Sequence, residues 1–188
     1  MQEPTRLTDG ALAMGGFQRP AEDLAVIKGL ALVELIGPDG LIKQRFEVPN
    51  LITQVGDQIY GERGAGVSGA PVAPTGMRLG TGTTAVAKTG AGAAIVTYTT
   101  GSNLAFDATY PQSALNGSAR RLTFRCTWAA GVATATGIAE AVITNESPLT
   151  DVAGTAANTM ARFLLSPTVN KGALDSLVIT WTHDFQGT

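Results

Sequence analysis

Apolar and polar positions alternate most clearly over Arg121–Trp128, "RLTFRCTW", where Leu122, Phe124, Cys126 and Trp128 fall on one side and Arg121, Thr123, Arg125 and Thr127 on the other. This period of two predicts a strand with one buried face. After a turn at "AAGVAT", the run "TGIAEAVITNE" predicts a strand paired with it, with Ile138, Glu140 and Val142 on one face and Ala139, Ala141 and Ile143 on the other. "MARFLLSPTVNKGALDSLVITWTHDF" predicts two further strands around a turn region at 167–172, the last with Leu177, Ile179, Trp181, His183 and Phe185 on one face. Near the start, "LAVIKGLALVELI" is apolar on both faces, as expected for a strand covered on two sides. "GPDG" at 37–40 predicts a tight turn, and in "LIKQRFEV" Lys43, Arg45 and Glu47 alternate with Ile42, Gln44, Phe46 and Val48, so 24–48 reads as a hairpin.

Only one stretch carries a helical period. Leu51, Ile52, Val55 and Ile59 fall at i, i+1, i+4 and i+8, with Asn50 placed to cap, and predict a short helix over about 51–63. A glycine-rich loop then leads to a strand at 77–79. The run "LGTGTTAVAKTG" (79–90) resembles a phosphate cradle, which needs a Gly directly before its Lys-Ser/Thr pair and a helix after it. Here Ala87 precedes Lys88, and the following "GAGAAIVTYTT" is rich in glycine and β-formers. The run therefore reads as a surface loop after a strand.

Composition supports one all-β domain. The 188 residues are 44% hydrophobic and only 15% charged, with 23 glycines, which suits short strands joined by small-residue loops. A net charge of −2 opposes an electrostatic grip on nucleic acid. The longest apolar stretch, at 29–37, is far below the roughly 20 residues of a membrane span, and the N-terminus lacks a signal-peptide pattern, so no membrane partner is expected. One cysteine, Cys126, permits no internal disulfide and no cysteine-built zinc site, which suits assembly in a reducing cytoplasm.

Reactive groups are sparse. Cys126 lies on an apolar stripe and reads as a small buried hydrophobe, because a catalytic thiol needs an adjacent base. The single histidine, His183, also lies on an apolar face and lacks a second histidine to complete a common metal set. Glu140 is a charge among apolar neighbours, expected at an edge or paired across strands with Arg121 or Arg125. Asp107, Glu140, Glu146, Asp151 and Asp184 would have to converge to act as a glycosidase pair, and nothing in their spacing favours that. No nucleophile elbow, zinc-helix motif, calcium loop or dinucleotide fingerprint is present. The expectation is a protein without catalytic residues, cofactor or metal.

Residues 1–23 carry three Gly, two Pro and no sustained period, and read as an arm outside a domain spanning 24–188. Fully extended at roughly 3.3 Å per residue, the arm would reach at most about 76 Å. It suits either contact with a neighbouring subunit or a solvated tail. Leu7, Leu12, Met14 and Phe17 are more apolar than a solvating tail requires and are the candidate partner-binding residues.

Four segments together, "VPNLITQVGDQIYGERGAG", "MRLGTGTTAVAKTGAG", "TFRCTW…GIAEAVITN" and "LDSLVITW", resemble small virion structural proteins of tailed bacteriophages, over about residues 41–185. The resemblance implies an antiparallel β-sandwich or jelly-roll-like body without catalysis, located on the head as a decoration (cement) protein or on the tail as an adaptor or fibre module. For the head, it implies the major capsid protein and neighbouring copies of the same chain as partners, a homo-oligomer on the outer capsid surface, and assembly in the host cytoplasm. An acidic body with an arm suits multivalent attachment, which favours the head. The polar segment "SPLTDVAGTAANT" after "ITNE" has no role implied by the resemblance.

Overall fold

A computed structural model describes residues 26–186. The candidate arm residues Leu7, Leu12, Met14 and Phe17 lie outside the described residues. Two five-stranded antiparallel sheets form a β-sandwich, as the alternating patterns predict. The first sheet contains β1 (Val26–Ile36), β2 (Ile42–Pro49), β6 (Gln112–Asn116), β7 (Ala119–Trp128) and β10 (Ser176–Gln186), in the order β2-β1-β10-β7-β6. The second contains β3 (Leu51–Ile52), β4 (Gly76–Gly80), β5 (Leu104–Ala105), β8 (Ala135–Thr144) and β9 (Thr159–Lys171), in the order β3-β9-β8-β4-β5.

The inward faces meet in one core. Ala31, Val33, Phe124, Cys126, Trp128, Ile179 and Trp181 of the first sheet pack with Met77, Leu79, Ala141, Ile143, Ala161 and Phe163 of the second. Phe163 and Trp181 join the layers edge to face, with ring centroids 4.6 Å apart. The first hairpin forms as expected, its turn closed by Gly40 N–H donating to Gly37 O at 3.0 Å, with Gly40 at φ 77°.

Several expectations are corrected. Among the described residues β1 is covered on one face only: Ala31, Val33 and Leu35 are buried, whereas Leu30 is exposed, because none of the described elements forms a layer outside the first sheet there. The helix is shorter than predicted. Leu51 and Ile52 remain extended and pair with Arg162 and Ala161, so the cap is Thr53, whose hydroxyl accepts from Gly56 N–H at 3.2 Å, and not Asn50. The α-helical part, α1, is only Gln54–Gln58, and a π-helical turn follows over Ile59–Arg63. Apolar strand residues beside an apolar helix face produced the longer apparent period.

β7 and β8 do not pair. The chain crosses between sheets at that turn, so β7 lies between β10 and β6 while β8 lies between β9 and β4. Nor does the strict alternation of β8 hold: a register shift between Ile138 and Glu140 puts Ile138 in the core with Ala141 and Ile143. No turn forms at 167–172 either. β9 runs through Pro167 to Lys171, with the proline in the irregular stretch between the Glu140–Leu164 and Ile138–Val169 pairs, where ladder bonding is interrupted. The turn follows, with Gly172 N–H donating to the Asp175 carboxylate at 3.0 Å, and leads across to β10 in the other sheet.

Candidate functional site

The glycine-threonine run is an anion cradle already filled by the protein's own carboxylate. Gly80, Glu140 and the Val142–Arg162 pair lie on the outer face of the second sheet, and the loop after β4 folds back over it. The N–H groups of Gly82, Val96 and Thr97 converge on Glu140 Oε1 at 3.0, 3.0 and 2.8 Å. Arg162 closes the other side, its Nη2 2.7 Å and Nε 3.2 Å from Glu140 Oε2, while Nη1 donates to Thr84 O at 2.8 Å and Gly92 O at 3.2 Å. Both side chains are fully buried. The glycines are required by this close approach: a Cβ on Gly82 would lie 2.5 Å from Glu140 Oε1, and one on Gly80 would lie 2.5 Å from Thr97 O. The expected partners of Glu140 are thereby corrected, since Arg121 pairs with Asp184 at 2.7 Å and Arg125 lies 3.3 Å from Asp107. Both of those arginines belong to the opposite sheet.

Lys88, which gave the run its nucleotide-like appearance, donates to the exposed Asp57 of α1 at 2.7 Å. A second buried arginine, Arg78, organises the segment after β8. It donates to Glu146, to Thr144 Oγ1 at 3.1 Å and to Thr150 O at 3.0 Å. Asp151 then accepts from Tyr98 Oη at 2.5 Å and Gly101 N–H at 2.7 Å. The polar "SPLTDVAGTAANT" segment thus helps the glycine-threonine loop cover the second sheet. Each of the five carboxylates considered for hydrolysis is engaged by the protein itself: Asp107 by Thr127, Glu140 by Arg162, Glu146 by Arg78, Asp151 by Tyr98 and Asp184 by Arg121.

His183 is fully buried on the core face of β10. Asn50 Nδ2 lies 3.1 Å from Nε2 and Tyr60 Oη 2.5 Å from Nδ1. A neutral ring serves both neighbours by donating from one nitrogen and accepting at the other. Burial pushes the imidazole down to about 3, against the opposing pull of Asp184. Burial also raises the thiol of Cys126, whose Sγ lies 3.5 Å from the carbonyl oxygens of Leu104 and Ala105. Among the described residues no group of three or more His, Cys, Asp or Glu is placed to hold a metal ion, and no helix is long and apolar enough to cross a membrane.

One concavity has the character of a binding surface. A groove of about 430 Å³ opens beside the edge strand β6, walled by Ile59, Tyr60, Pro74, Leu122, Phe124 and Met160. Arg63, Gln112 and Ser113 also line it. Among the described residues β6 pairs only with β7 and is exposed along its whole length, with Leu115 71% exposed. Sequence periodicity marked Leu122 and Phe124 as core-facing but missed the groove, which forms because the π-helical turn and the segment before β4 stand off from that face.

Comparisons with protein-family models, with curated proteins and with solved structures find no match to this chain.

Proposed function

We propose that the protein is a non-enzymatic virion structural protein that binds the major capsid protein on a tailed-phage head and stabilises the shell as a decoration protein. The sequence resemblance supports the class, and one geometric observation favours a docking role. The apolar groove and the free edge of β6 share one rim, whereas the buried charges are engaged in holding loops. An unpaired edge can accept a partner strand through its backbone, and an adjacent apolar recess can receive that partner's side chains. Repeated copies would each add a contact between adjacent shell subunits, so a modest individual affinity would suffice.

Densitometry of purified particles tests this reading. Head decoration requires copy numbers comparable with those of the major shell protein. A stoichiometry of about a dozen or fewer would instead favour an adaptor or fibre module on the tail, and absence from particles would remove both.

A further inference from the structure

We infer that the rim beside β6 takes an acidic, extended segment of a partner protein as an added strand. The inference rests on the docking role proposed above for this rim, and adds the register and the chemistry of what docks there. β6 and β7 are joined by a two-residue turn at Gly117 and Ser118, with Gly117 at φ 62°. In such a hairpin the closing pair, Asn116 with Ala119, exchanges both of its backbone hydrogen bonds. Alternation then directs the backbone groups of Ala114 and Gln112 toward β7, and turns the N–H and C=O groups of Ser113 and Leu115 outward. Among the described residues no strand pairs with that outward edge. Ser113 and Leu115 are therefore the backbone template for an added strand.

The side chains of the rim select an acidic strand. Ser113 lies opposite Leu122 and Leu115 opposite Arg120, so these four share the groove face. Arg63 lines the groove from the π-helical turn. Arg45, Arg78, Arg121, Arg125 and Arg162 each lie against a carboxylate, whereas none of the ion pairs among the described residues includes Arg63 or Arg120. Both of these arginines are exposed, and Glu62, next to Arg63 on the turn, forms no ion pair with it. The two uncommitted guanidinium groups make a locally cationic rim on a chain of net charge −2. Residues two apart on a strand share a face and lie about 6.8 Å apart, which is the spacing of Ser113 and Leu115. Carboxylates at alternate positions of an added strand would thus meet Arg63 near Ser113 and Arg120 near Leu115, in the forked geometry that guanidinium favours. Leu115 and the half-buried Leu122, Tyr60 and Pro74 give the apolar residues of such a strand something to cover.

The test follows amide hydrogen exchange in the full chain by NMR at low salt, with two end-blocked peptides at millimolar concentration as probes. One alternates Glu with Val, and the other carries Lys in place of each Glu. The glutamate peptide should slow exchange at Ser113 and Leu115 while leaving Ala114, whose N–H is directed at β7, unchanged. The lysine peptide should slow neither. Arg63→Gln and Arg120→Gln should each weaken the glutamate peptide about two- to five-fold, and the loss should shrink as sodium chloride is raised. No slowing at Ser113 and Leu115 would overturn the added strand. Equal slowing by both peptides, or undiminished binding of the glutamate peptide to the doubly substituted protein, would overturn its acidic character. These outcomes are read on the isolated protein and copy number is read on particles, so the strand can fail while head decoration stands, and the reverse.

Discussion

The loop over β8 and the rim beside β6 are both irregular, yet their backbone donors are used in opposite ways. Over β8, the N–H groups of Gly82, Val96 and Thr97 turn inward to a buried carboxylate, and a buried arginine ties two carbonyls of the same loop to it. Beside β6, the outer edge has no partner strand among the described residues, and the nearest recess is apolar. Glycine content therefore does not identify an open surface. The glycine-rich loop is internally completed, while the serine-, glutamine- and leucine-bearing edge remains available. A buried ion pair with all its bonds made specifies one loop conformation, whereas an edge strand specifies only a direction of pairing.

The largest predicted effect comes from emptying the cradle. Glu140→Ala leaves Arg162 buried without its counter-ion and three loop N–H groups without an acceptor. We expect a loss of about 3–5 kcal/mol in unfolding free energy, read from chemical denaturation. Faster hydrogen exchange at Gly82, Val96 and Thr97 should accompany it. The double substitution Glu140→Leu with Arg162→Met should recover the part of the loss that comes from the unpaired Arg162 charge, while the three loop N–H groups and the carbonyls of Thr84 and Gly92 still lack their partners. A single-substitution loss below about 1 kcal/mol would mean that the pair does not hold the loop.

The same residues show how far the sequence could be read. Alternation at Leu122–Trp128 and Leu177–Phe185 was sufficient to identify strands and their buried faces, because each has one wet side. It was insufficient for β8, which is buried on both faces and interrupted by a register shift, so its partner strand and the charge partner of Glu140 had no local signal. Arg162 lies 22 positions away, in a run that reads simply as an apolar strand. Sheet membership was illegible for a related reason: a crossing between layers and a hairpin both need only a short polar turn. The groove left no trace because it depends on how far a π-helical turn stands from β7. One clue was available, since a lone glutamate amid apolar residues and a Gly-x-Gly loop both call for a partner that the other can supply.

On the groove side, His183 offers a prediction with a pH signature. Its imidazole titrates near 6.5 when unfolded and near 3 when folded, so the unfolded state binds the extra proton in between. Stability from this neutral, buried ring is complete above about pH 6.5 and falls as pH drops toward 3. The wild type should lose up to about 1.4 kcal/mol per pH unit in that range from this group. Comparison with His183→Gln between about pH 6.5 and 4.5 isolates it, because the chain has one histidine and the carboxyls of Asp184, Asp175 and Glu146 are held below their usual range. The variant should show a shallower dependence whatever its stability at neutral pH. Parallel curves would mean that water or a polar partner reaches the ring and that the Tyr60 side of the groove is wetter than the packing implies.

The smallest effect concerns Lys88, and it sharpens the contrast most directly. A phosphate loop places its lysine on the ligand, so removing that lysine abolishes binding. Here Lys88 forms a half-exposed pair with Asp57, the side chains being 52% and 53% accessible, in a setting where such pairs contribute about 0–1 kcal/mol and weaken in salt. The backbone link from Gln54 N–H to Lys88 O, at 2.9 Å, survives substitution. Lys88→Ala should therefore lower the melting temperature only slightly, and the difference should shrink as sodium chloride is raised. Millimolar inorganic phosphate should raise the melting temperature of neither form, because the converging N–H groups already hold Glu140. A phosphate-dependent rise in the wild type that Lys88→Ala removes would show that the loop can exchange its internal carboxylate for an external anion, and the distinction between the completed loop and the open rim would fail.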